Sequence, residues 1–133
     1  MSFSKNPPED QISNLLEHYQ NGRFSDAEKL ATTISQEFPN DNFSWKILAA
    51  IFKSTDRASE AVFAGKKAVE INPNDAQAYF NLGNTFKVQA RWDEAIISYQ
   101  QAIGIKPDHA EAHNNLGNTL KELRRLDLSL IHI

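Results

Sequence analysis

Three prolines, Pro39, Pro73 and Pro107, lie 34 residues apart, and the sequence around them repeats with the same period. A period of 34 residues is typical of one helix–turn–helix repeat in a stacked helical array. Each repeat of such an array packs only against its neighbours, and the stacked repeats form an extended surface. The spacing therefore favours a binding scaffold, before any single side chain is considered.

The residues that recur every 34 positions are mostly small or apolar. The columns are Ala27, Ala61 and Ala95; Leu48, Leu82 and Leu116; Ala49, Gly83 and Gly117; Phe52, Phe86 and Leu120; Ala68 and Ala102; and Ile71 and Ile105. The segments 81–85 and 115–119 both read NLGNT, and no insertion separates the repeats. Together these columns predict an all-α fold of antiparallel helix pairs.

These repeats resemble the bacterial type of tetratricopeptide repeat. The family's signature positions hold Trp45, Leu48, Ala49, Phe52, Ala61, Ala68 and Pro73 in one repeat, and Tyr79, Leu82, Gly83, Phe86, Ala95, Tyr99, Ala102 and Pro107 in the next. A further repeat begins with His113, Leu116, Gly117 and Leu120. The first repeat departs from the pattern at Asn14 and His18. The resemblance implies a right-handed superhelical array, a solenoid of about three and a half repeats, near residues 8–41, 42–75, 76–109 and, incomplete, 110–127.

The apolar spacing predicts helices near residues 9–21, 25–37, 42–54, 59–71, 76–88, 93–105 and 110–122. The three prolines are expected to end the second helix of each repeat. Capping-box spacing marks helix starts at the pairs Asn74 with Gln77, Asp108 with Glu111, and Ser25 with Glu28. We also expect the small residues Gly83 and Ala95 to bring two helices close together, with large aromatic side chains beside them.

The repeat breaks after Asp127. The segment Asp93-Glu94-Ala95 predicts an acidic residue and then alanine, whereas the chain reads LSLIHI. That string is the in-frame translation of CTGTCTCTTATACACATC, a transposase end sequence used to build sequencing libraries; the alternative is an ordinary divergent helix end. We therefore predict a flexible leader at 1–8, an array at 9–127 and a non-native read-through tail at 128–133, in an amino-terminal fragment of a longer protein.

An uncovered apolar stripe follows from this break. The stripe formed by Leu116, Leu120 and Leu123 predicts a second helix that covers it. Each of these leucines that stays exposed loses about 1.5–3 kcal/mol of stabilisation from burial. The chain is then expected to fray at its carboxy end or to self-associate there.

Composition and charge narrow the function classes. The chain has no cysteine, so it offers neither a disulfide nor a thiol nucleophile. Its net charge of −3, without a basic cluster, argues against nucleic acid as a partner. The longest apolar run, Ile47–Phe52, is too short to cross a membrane, and Met1–Gln11 lacks the apolar core of a signal peptide. These features predict a cytoplasmic protein without a membrane partner.

The sequence predicts no catalytic, metal or cofactor residues. His109 and His113 are four apart around Glu111, but this is not the HExxH order of zinc proteases. We place His109 in the turn between repeats and His113 at the packing position of Trp45 and Tyr79. The adjacent carboxylates Asp93 and Glu94 are interpreted as a helix cap and a solvated side chain.

A polar stripe on the first helix of each repeat is the candidate binding surface. In tetratricopeptide arrays these helices line a concave groove. The predicted groove residues are Lys46, Lys53, Gln77, Phe80, Asn81, Asn84, Lys87, Asn114, Asn115, Asn118 and Lys121. An asparagine amide both donates and accepts hydrogen bonds, so Asn81 and Asn115 are expected to hold successive backbone amides of an extended peptide. The alternative is that duplicated repeats share these residues by inheritance alone.

Capture of a carboxy-terminal carboxylate is disfavoured. Family members with that specificity use lysine, asparagine and arginine from three adjacent repeats, and here only Lys46 and Asn81 match. Ala50, Glu111 and Asn115 stand at the remaining positions, and the glutamate would repel a carboxylate.

Two function classes remain. The first is a protein–protein interaction scaffold that binds an extended peptide segment. The second is the substrate-recruiting repeat region of a multidomain enzyme, such as a glycosyltransferase, a sulfotransferase or an oxygenase. The NLGNT repeats resemble the arrays of O-linked N-acetylglucosamine transferases in particular. In either case the residues of this chain are expected to bind and not to catalyse.

Overall fold

The structure is a computed structural model, and it describes residues 6–131. Residues 1–5 of the predicted leader and 132–133 of the predicted tail lie outside this range. Within it the chain forms helices and no strands: α1 Glu9–Gln20, α2 Phe24–Glu37, α3 Asn42–Ser54, α4 Ala58–Ile71, α5 Ala76–Val88, α6 Trp92–Ile105 and α7 Ala110–Ile131. The first six agree with the predicted bounds to within one residue, whereas α7 runs nine residues further than predicted.

The helices form two compact units, one that ends at Pro73 and one that begins at Asn74. In the amino-terminal unit, α1 packs on α2, α2 on α3, and α3 on α4. Its core consists of Leu15, Ala27, Ala31, Ile34, Ile47, Leu48, Ile51, Phe52, Ala61 and Ala64. The alanines come from the second helices and the large apolar residues mostly from the first, so each pair approaches closely at its alanine side.

In the carboxy-terminal unit, α6 packs against both α5 and α7. The buried apolar residues are Ala78, Phe80, Leu82, Phe86, Ala95, Tyr99, Ala102 and Ala112. The expectation of a large aromatic side chain beside Gly83 is confirmed, because the ring of Tyr99 occupies that space, whereas close approach at Ala95 stays a prediction. A Cβ atom added at Gly83 would lie 2.6 Å from Cε1 of Tyr99. The glycine is therefore a notch for an aromatic ring.

The same turn joins the two helices of each complete pair. One residue in it has a left-handed backbone: Gly22 at φ 74°, Asp56 at φ 58° and Ala90 at φ 56°. The N–H of the next residue, always an arginine, donates to the carbonyl five positions earlier, for example from Arg91 to Phe86 over 2.9 Å. This is the Schellman arrangement, which satisfies the carbonyls at a helix end. The turn depends on the backbone more than on the identity of its left-handed residue.

In two of these turns the arginine also joins the two helices through its side chain. The guanidinium of Arg57 lies 4.4 Å from the ring centre of Phe52, and that of Arg91 lies 4.7 Å from the ring centre of Phe86. Each arginine binds the glutamate three residues later with two hydrogen bonds, which for Arg91 and Glu94 are both 2.7 Å long. Hydrogen bonding from Arg57 lowers the pKa of Glu60 from its ordinary value. The column of arginines at 23, 57, 91 and 125 was not recognised from the sequence.

Helices α3 and α5 each begin with an aspartate cap, which in α5 lies one residue later than predicted. A carboxylate oxygen of Asp41 accepts from the Ser44 N–H over 3.0 Å, and Asp75 caps Ala78 over 3.1 Å. The predicted caps Asn74 and Asp108 are wrong because the helices begin at residues 76 and 110, which puts the capping position at 75 and 109. The predicted cap Ser25 is also wrong, since it lies inside α2.

His109 takes the capping position at the start of α7. Its Nδ1 accepts a hydrogen bond from the Ala112 N–H over 3.1 Å, so this nitrogen carries no proton. The imidazole is buried and lies 4.9 Å from the ring centre of Phe80. The placement of His109 between repeats is confirmed. His113, by contrast, is exposed, and its Nε2 lies 2.7 Å from the Pro107 carbonyl oxygen, so its predicted packing role is wrong.

Helix α7 continues through the position where the turn was expected. Arg124 is the counterpart of Asp56 and Ala90, yet it lies within the helix. Leu128 replaces the glutamate that binds the turn arginine, and Arg125 instead binds Glu122, one helical turn earlier. Because Leu128 gives Arg125 no acidic partner ahead, no such contact offsets the backbone strain of about 1–2 kcal/mol that a left-handed Arg124 would carry, and the helix continues. The predicted end of this helix at 122 is therefore wrong.

Candidate functional site

The predicted groove residues lie on the first helices, and the two units are described in turn. In the amino-terminal unit, Lys46 and Lys53 lie on α3, where Lys46 is half-buried and Lys53 is exposed. In the carboxy-terminal unit, the remaining nine residues lie on α5 and α7. That unit therefore supplies most of the candidate surface, and its geometry decides which residues are accessible to a ligand.

Exposed carboxamides lie on both first helices of the carboxy-terminal unit. Gln77 and Asn81 are exposed on α5, and Nε2 of Gln77 donates to Oδ1 of Asn81 over 3.2 Å. Asn114 and Asn118 are exposed on α7. A carboxamide carries two donor hydrogens and an acceptor oxygen, the complement of a backbone amide. These four side chains are chemically suited to hold an extended peptide. We call them the amide surface.

Charged side chains flank the amide surface. Lys87 is half-buried near the end of α5, and Lys121 is exposed on α7. Glu111 is exposed in the first turn of α7, where a carboxylate interacts favourably with the helix dipole. The surface thus has a carboxylate at the beginning of α7 and an ammonium group about three turns further on.

Phe80 does not belong to this surface. Its side chain is only 5% exposed, and its ring centre lies 6.0 Å from that of Tyr99 and 4.9 Å from that of His109. The sequence pattern predicted one buried stripe of side chains on α5. Helix α5 contacts both α6 and α7, however, and so it buries two stripes. Phe80 lies on the second buried stripe, and the prediction that it lines the groove is wrong.

Asn84 and Asn115 are joined to each other and to a buried tyrosine. Nδ2 of Asn115 donates to Oδ1 of Asn84 over 2.8 Å, and the hydroxyl of Tyr99 donates to the same oxygen over 2.6 Å. Burial raises the pKa of the Tyr99 phenol, and hydrogen bonding with Asn115 opposes that shift. The cluster links α5, α6 and α7 through polar atoms. Asn115 therefore has a structural role that the sequence did not reveal.

Asn81 and Asn115 thus differ, although they occupy the same place in identical NLGNT segments. Asn81 is exposed, whereas Asn115 is half-buried and bonded to Asn84. The expectation of two equivalent peptide-binding asparagines does not match this geometry. Asn81 and Asn118 are the better pair, since both are exposed.

No three histidine, cysteine, aspartate or glutamate side chains come together in the described part of the chain in a way that could hold a metal ion. The nitrogens of His109 and His113 noted above contact the backbone. No helix among residues 6–131 is long and apolar enough to span a membrane.

Comparison with known families identifies the repeats. Residues 64–97 match a family described as "Tetratricopeptide repeat", and residues 88–123 match one described as "TPR repeat". Residues 64–123 contain tetratricopeptide repeats. The matched segments run from α4 into α7, the region in which the columns of small and aromatic residues agree best. No curated protein matches this sequence.

Solved structures with the same fold include several tetratricopeptide-repeat domains. One is the first TPR of Spaghetti (RPAP3) bound to an HSP90 peptide, at 17% identity and a TM-score of 0.84, over 92% of this chain and 99% of that chain. Another is the Sgt2 TPR domain from Aspergillus fumigatus, at 17% identity and a TM-score of 0.85, over 96% and 87%. At these identities the similarity establishes the fold of this chain, an all-α tetratricopeptide solenoid.

An enzyme also contains a region of this fold. The O-GlcNAc transferase of Thermobaculum terrenum matches over 90% of this chain and 23% of its own length, at 22% identity and a TM-score of 0.73. This chain therefore spans about a quarter of that enzyme.

Proposed function

We propose that this protein is an interaction module that binds an extended segment of another protein across α5 and α7. The observation that carries the proposal is the amide surface, formed by Gln77, Asn81, Asn114 and Asn118. These side chains are exposed on helices whose mutual position is fixed by the bond between Asn115 and Asn84. A preorganised set of donors and acceptors loses less entropy on binding than a mobile one. The RPAP3 domain bound to an HSP90 peptide supports the proposal by analogy of fold.

The amide surface favours recognition of peptide backbone over recognition of one side chain. Each carboxamide can bond to one peptide unit as both donor and acceptor, and each such bond is worth about 0.5–1.5 kcal/mol. The flanking Lys121 and Glu111 then set a preferred direction, with acidic ligand residues near the lysine. For the amino-terminal unit taken by itself, we propose that Lys46 and Lys53 of α3 attract acidic ligand residues.

A carboxy-terminal carboxylate is not the proposed ligand. Asn115 stands where an arginine is needed for that specificity, and its amide is bonded to Asn84. Glu111 occupies a position where that specificity needs a lysine. Its side chain is exposed and negatively charged, so it would repel the carboxylate of such a ligand. An internal segment of a partner chain fits these residues better than a free acidic terminus does.

The test compares exposed amides on two sides of the carboxy-terminal unit. A peptide ligand is selected from a random library on the whole protein and titrated into the Asn81→Ala/Asn118→Ala variant. We expect about a 5- to 100-fold loss of affinity, the sum of two hydrogen bonds. The control is Gln100→Ala/Gln101→Ala, which removes two exposed amides from α6. Circular dichroism checks that both variants are folded. Unchanged affinity in the first variant, or equal loss in the control, contradicts the proposal.

A second proposal is that the array recruits substrates for a catalytic domain in the same polypeptide. It is supported by the similarity of fold to the O-GlcNAc transferase of Thermobaculum terrenum and by the asparagine-bearing NLGNT segments. In that case the peptide held by the amide surface is the segment to be modified. The gene sequence downstream of the codon for Asp127 tests this proposal, because an open reading frame that encodes a transferase domain is expected there.

A further inference from the structure

A cleft in the amino-terminal unit is lined by residues that the amide surface does not use. Its volume is about 500 Å³, within the range of about 300–1,000 Å³ that ligand pockets occupy. The end of α2, the beginning of α3 and the last turns of α4 form its walls. The lining residues include Pro39, Asn40, Trp45, Lys67, Glu70 and Ile71. We call it the Trp45 cleft.

An aromatic pair borders this cleft. The ring centre of Trp45 lies 5.9 Å from that of Phe63, and the two ring planes meet at 72°. Phe63 is 57% exposed, and Trp45 is half-buried. The contact with Phe63 orients the indole, and Trp45 also lines the cleft. Trp45 therefore offers an oriented aromatic surface, and tryptophan is the side chain that attracts cations most strongly through its ring.

The two charged side chains of the cleft, Lys67 and Glu70, differ in what they contact. Nζ of Lys67 lies 5.8 Å from the ring centre of Phe63. Side chains of an α-helix lean towards its amino terminus, so this ammonium group is directed towards Phe63, one turn earlier. The carboxylate of Glu70 is exposed, and it forms no ion pair with any side chain among residues 6–131. Glu70 is therefore available to a cationic ligand.

The side chain of an arginine matches the groups that line the cleft. A guanidinium stacks on an aromatic ring and bonds to a carboxylate with two parallel hydrogen bonds. Trp45 supplies the ring and Glu70 the carboxylate, while the amide oxygen of Asn40 is a further acceptor. The apolar side chains of Pro39 and Ile71 suit the methylene groups of the arginine. The net charge of −3 also favours a basic partner.

An acidic or a neutral ligand fits the cleft less well. Lys67 is the one basic residue of the lining, and its ammonium group would have to leave the ring of Phe63 to pair with an acid. Glu70 would repel that acid. A neutral apolar ligand would take water from the carboxylate of Glu70 without giving it a partner, which is costly.

We propose that the Trp45 cleft is a docking site for an arginine side chain of a partner protein. The guanidinium stacks on the indole of Trp45 and pairs with the carboxylate of Glu70. The cleft shares no residue with the amide surface. It therefore adds a contact that is specific for one side chain to the recognition of peptide backbone proposed above, and each site can fail without the other.

The experiment titrates N-acetyl-arginine amide into the whole protein and follows the two tryptophan indole N–H signals by NMR, which Trp92→Phe assigns. A saturable shift of the Trp45 signal is expected, without a saturable shift at Trp92. N-acetyl-citrulline amide has nearly the same shape without the charge. It should bind at least about threefold more weakly, because it loses both the cation–π interaction and the ion pair.

Two variants with opposite changes of charge test the role of each side chain. Glu70→Gln should weaken binding of the arginine compound about two- to fivefold, the range of an exposed ion pair. Lys67→Gln removes a charge of the same sign as the ligand, so the affinity should stay the same or rise. Glu17→Gln removes an exposed carboxylate from α1 and is the control, which should bind like the parent. The Asn81→Ala/Asn118→Ala variant should also bind like the parent.

Several results overturn the proposal. They are the absence of saturable binding, equal binding of the citrulline compound, and a shift at Trp92 alone. Unchanged affinity in Glu70→Gln, an equal loss in Glu17→Gln, or weaker binding in Lys67→Gln contradicts the assigned charges. Tighter binding of N-acetyl-glutamate amide than of the arginine compound would show that the cleft takes an acid, which also overturns the proposal. Circular dichroism checks that each variant is folded.

Discussion

Helices α5 and α7 share the five residues NLGNT but differ in what surrounds them. In α5, Gly83 holds the ring of Tyr99, Leu82 and Phe86 are buried, and the helix ends at Val88 in a left-handed turn. In α7, Gly117 faces open space, Leu120 is half exposed, and the helix continues to Ile131. Identical local sequence thus fixes the helix itself, while the residues after it decide whether its apolar face is covered.

The comparison also separates two roles of asparagine. In α7, Asn115 is bonded to Asn84 and so belongs to the packing between helices, whereas Asn81 in α5 is exposed. A repeat column therefore does not guarantee one function. The contacts of the side chain, and not its repeat column, decide whether the amide is structural or accessible.

The largest effect is expected from emptying the α5 notch. Tyr99→Ala removes a fully buried ring and its hydrogen bond to Asn84. Loss of a large aromatic side chain from a core costs about 3–5 kcal/mol. The change leaves open space beside Gly83, as there is beside Gly117. Urea unfolding measures the loss of stability. Tyr79→Ala, at a half-buried position of α5, is the control and should cost clearly less.

Alkaline pH is expected to weaken the packing of Tyr99 against Gly83 without a mutation. Burial raises the pKa of Tyr99, so the folded protein holds the phenol neutral at a pH where the unfolded chain ionises it. The stabilisation is complete below the unfolded value near 10 and is lost as pH rises towards the raised folded value. Ultraviolet titration of the three tyrosines should show one late ionisation that Tyr99→Phe abolishes. Three equal titrations would contradict the burial of this hydroxyl.

The continuation of α7 is expected to reverse when the two missing turn residues are supplied. Arg124→Gly removes a strain of about 1–2 kcal/mol from the left-handed position, and Leu128→Glu gives Arg125 the acidic partner that Arg57 and Arg91 have. Backbone chemical shifts at position 124 should change from helical to left-handed in the double variant. Arg124→Gly/Leu128→Gln, which lacks the acidic partner, is the control, and it should stay helical. A helical position 124 in both would show that these two residues do not decide the turn.

A smaller gain in stability is expected from a substitution in the turn between α5 and α6. Ala90 has φ 56°, a conformation that glycine adopts without steric cost. Ala90→Gly should therefore stabilise the protein by about 0.5–1 kcal/mol, despite the entropy that glycine adds to the unfolded chain. Ala110→Gly, at the exposed first residue of α7, is the control and should be neutral or destabilising. Equal destabilisation by both changes would contradict the left-handed backbone at Ala90.

Much of the fold could be predicted because its signals are local and periodic. Pro39, Pro73 and Pro107 mark the ends of α2, α4 and α6, since proline disfavours helix in the residue before it. The columns of alanine and leucine then place the helices between them. The end of α7 could not be predicted this way, because the break in the repeat after Asp127 was interpreted as a non-native read-through tail rather than as the loss of a turn.

The errors at the candidate site arise from contacts between helices. Phe80 and Asn115 lie on the faces where α5 and α7 contact the rest of their unit, and a helical stripe drawn on one helix does not include those neighbours. His109 was missed as a cap because its column holds Asp41 and Asp75, and an imidazole nitrogen can replace a carboxylate as acceptor. Exposed residues such as Asn81 and Asn118 were identified because no other helix competes for them.

The most direct test of the account is a matched pair of substitutions, Gly83→Ala and Gly117→Ala, measured by urea unfolding. Both replace a helical glycine in the same NLGNT segment, so the gain in helix propensity is the same, about 0.5–1 kcal/mol. At Gly83 the new Cβ atom would lie 2.6 Å from the buried ring of Tyr99, and overpacking should destabilise the protein by about 1–3 kcal/mol. At Gly117 it meets nothing within 4 Å, and the protein should become more stable. Changes of opposite sign are predicted; destabilisation by both would mean that the face of α7 is covered and would contradict the account.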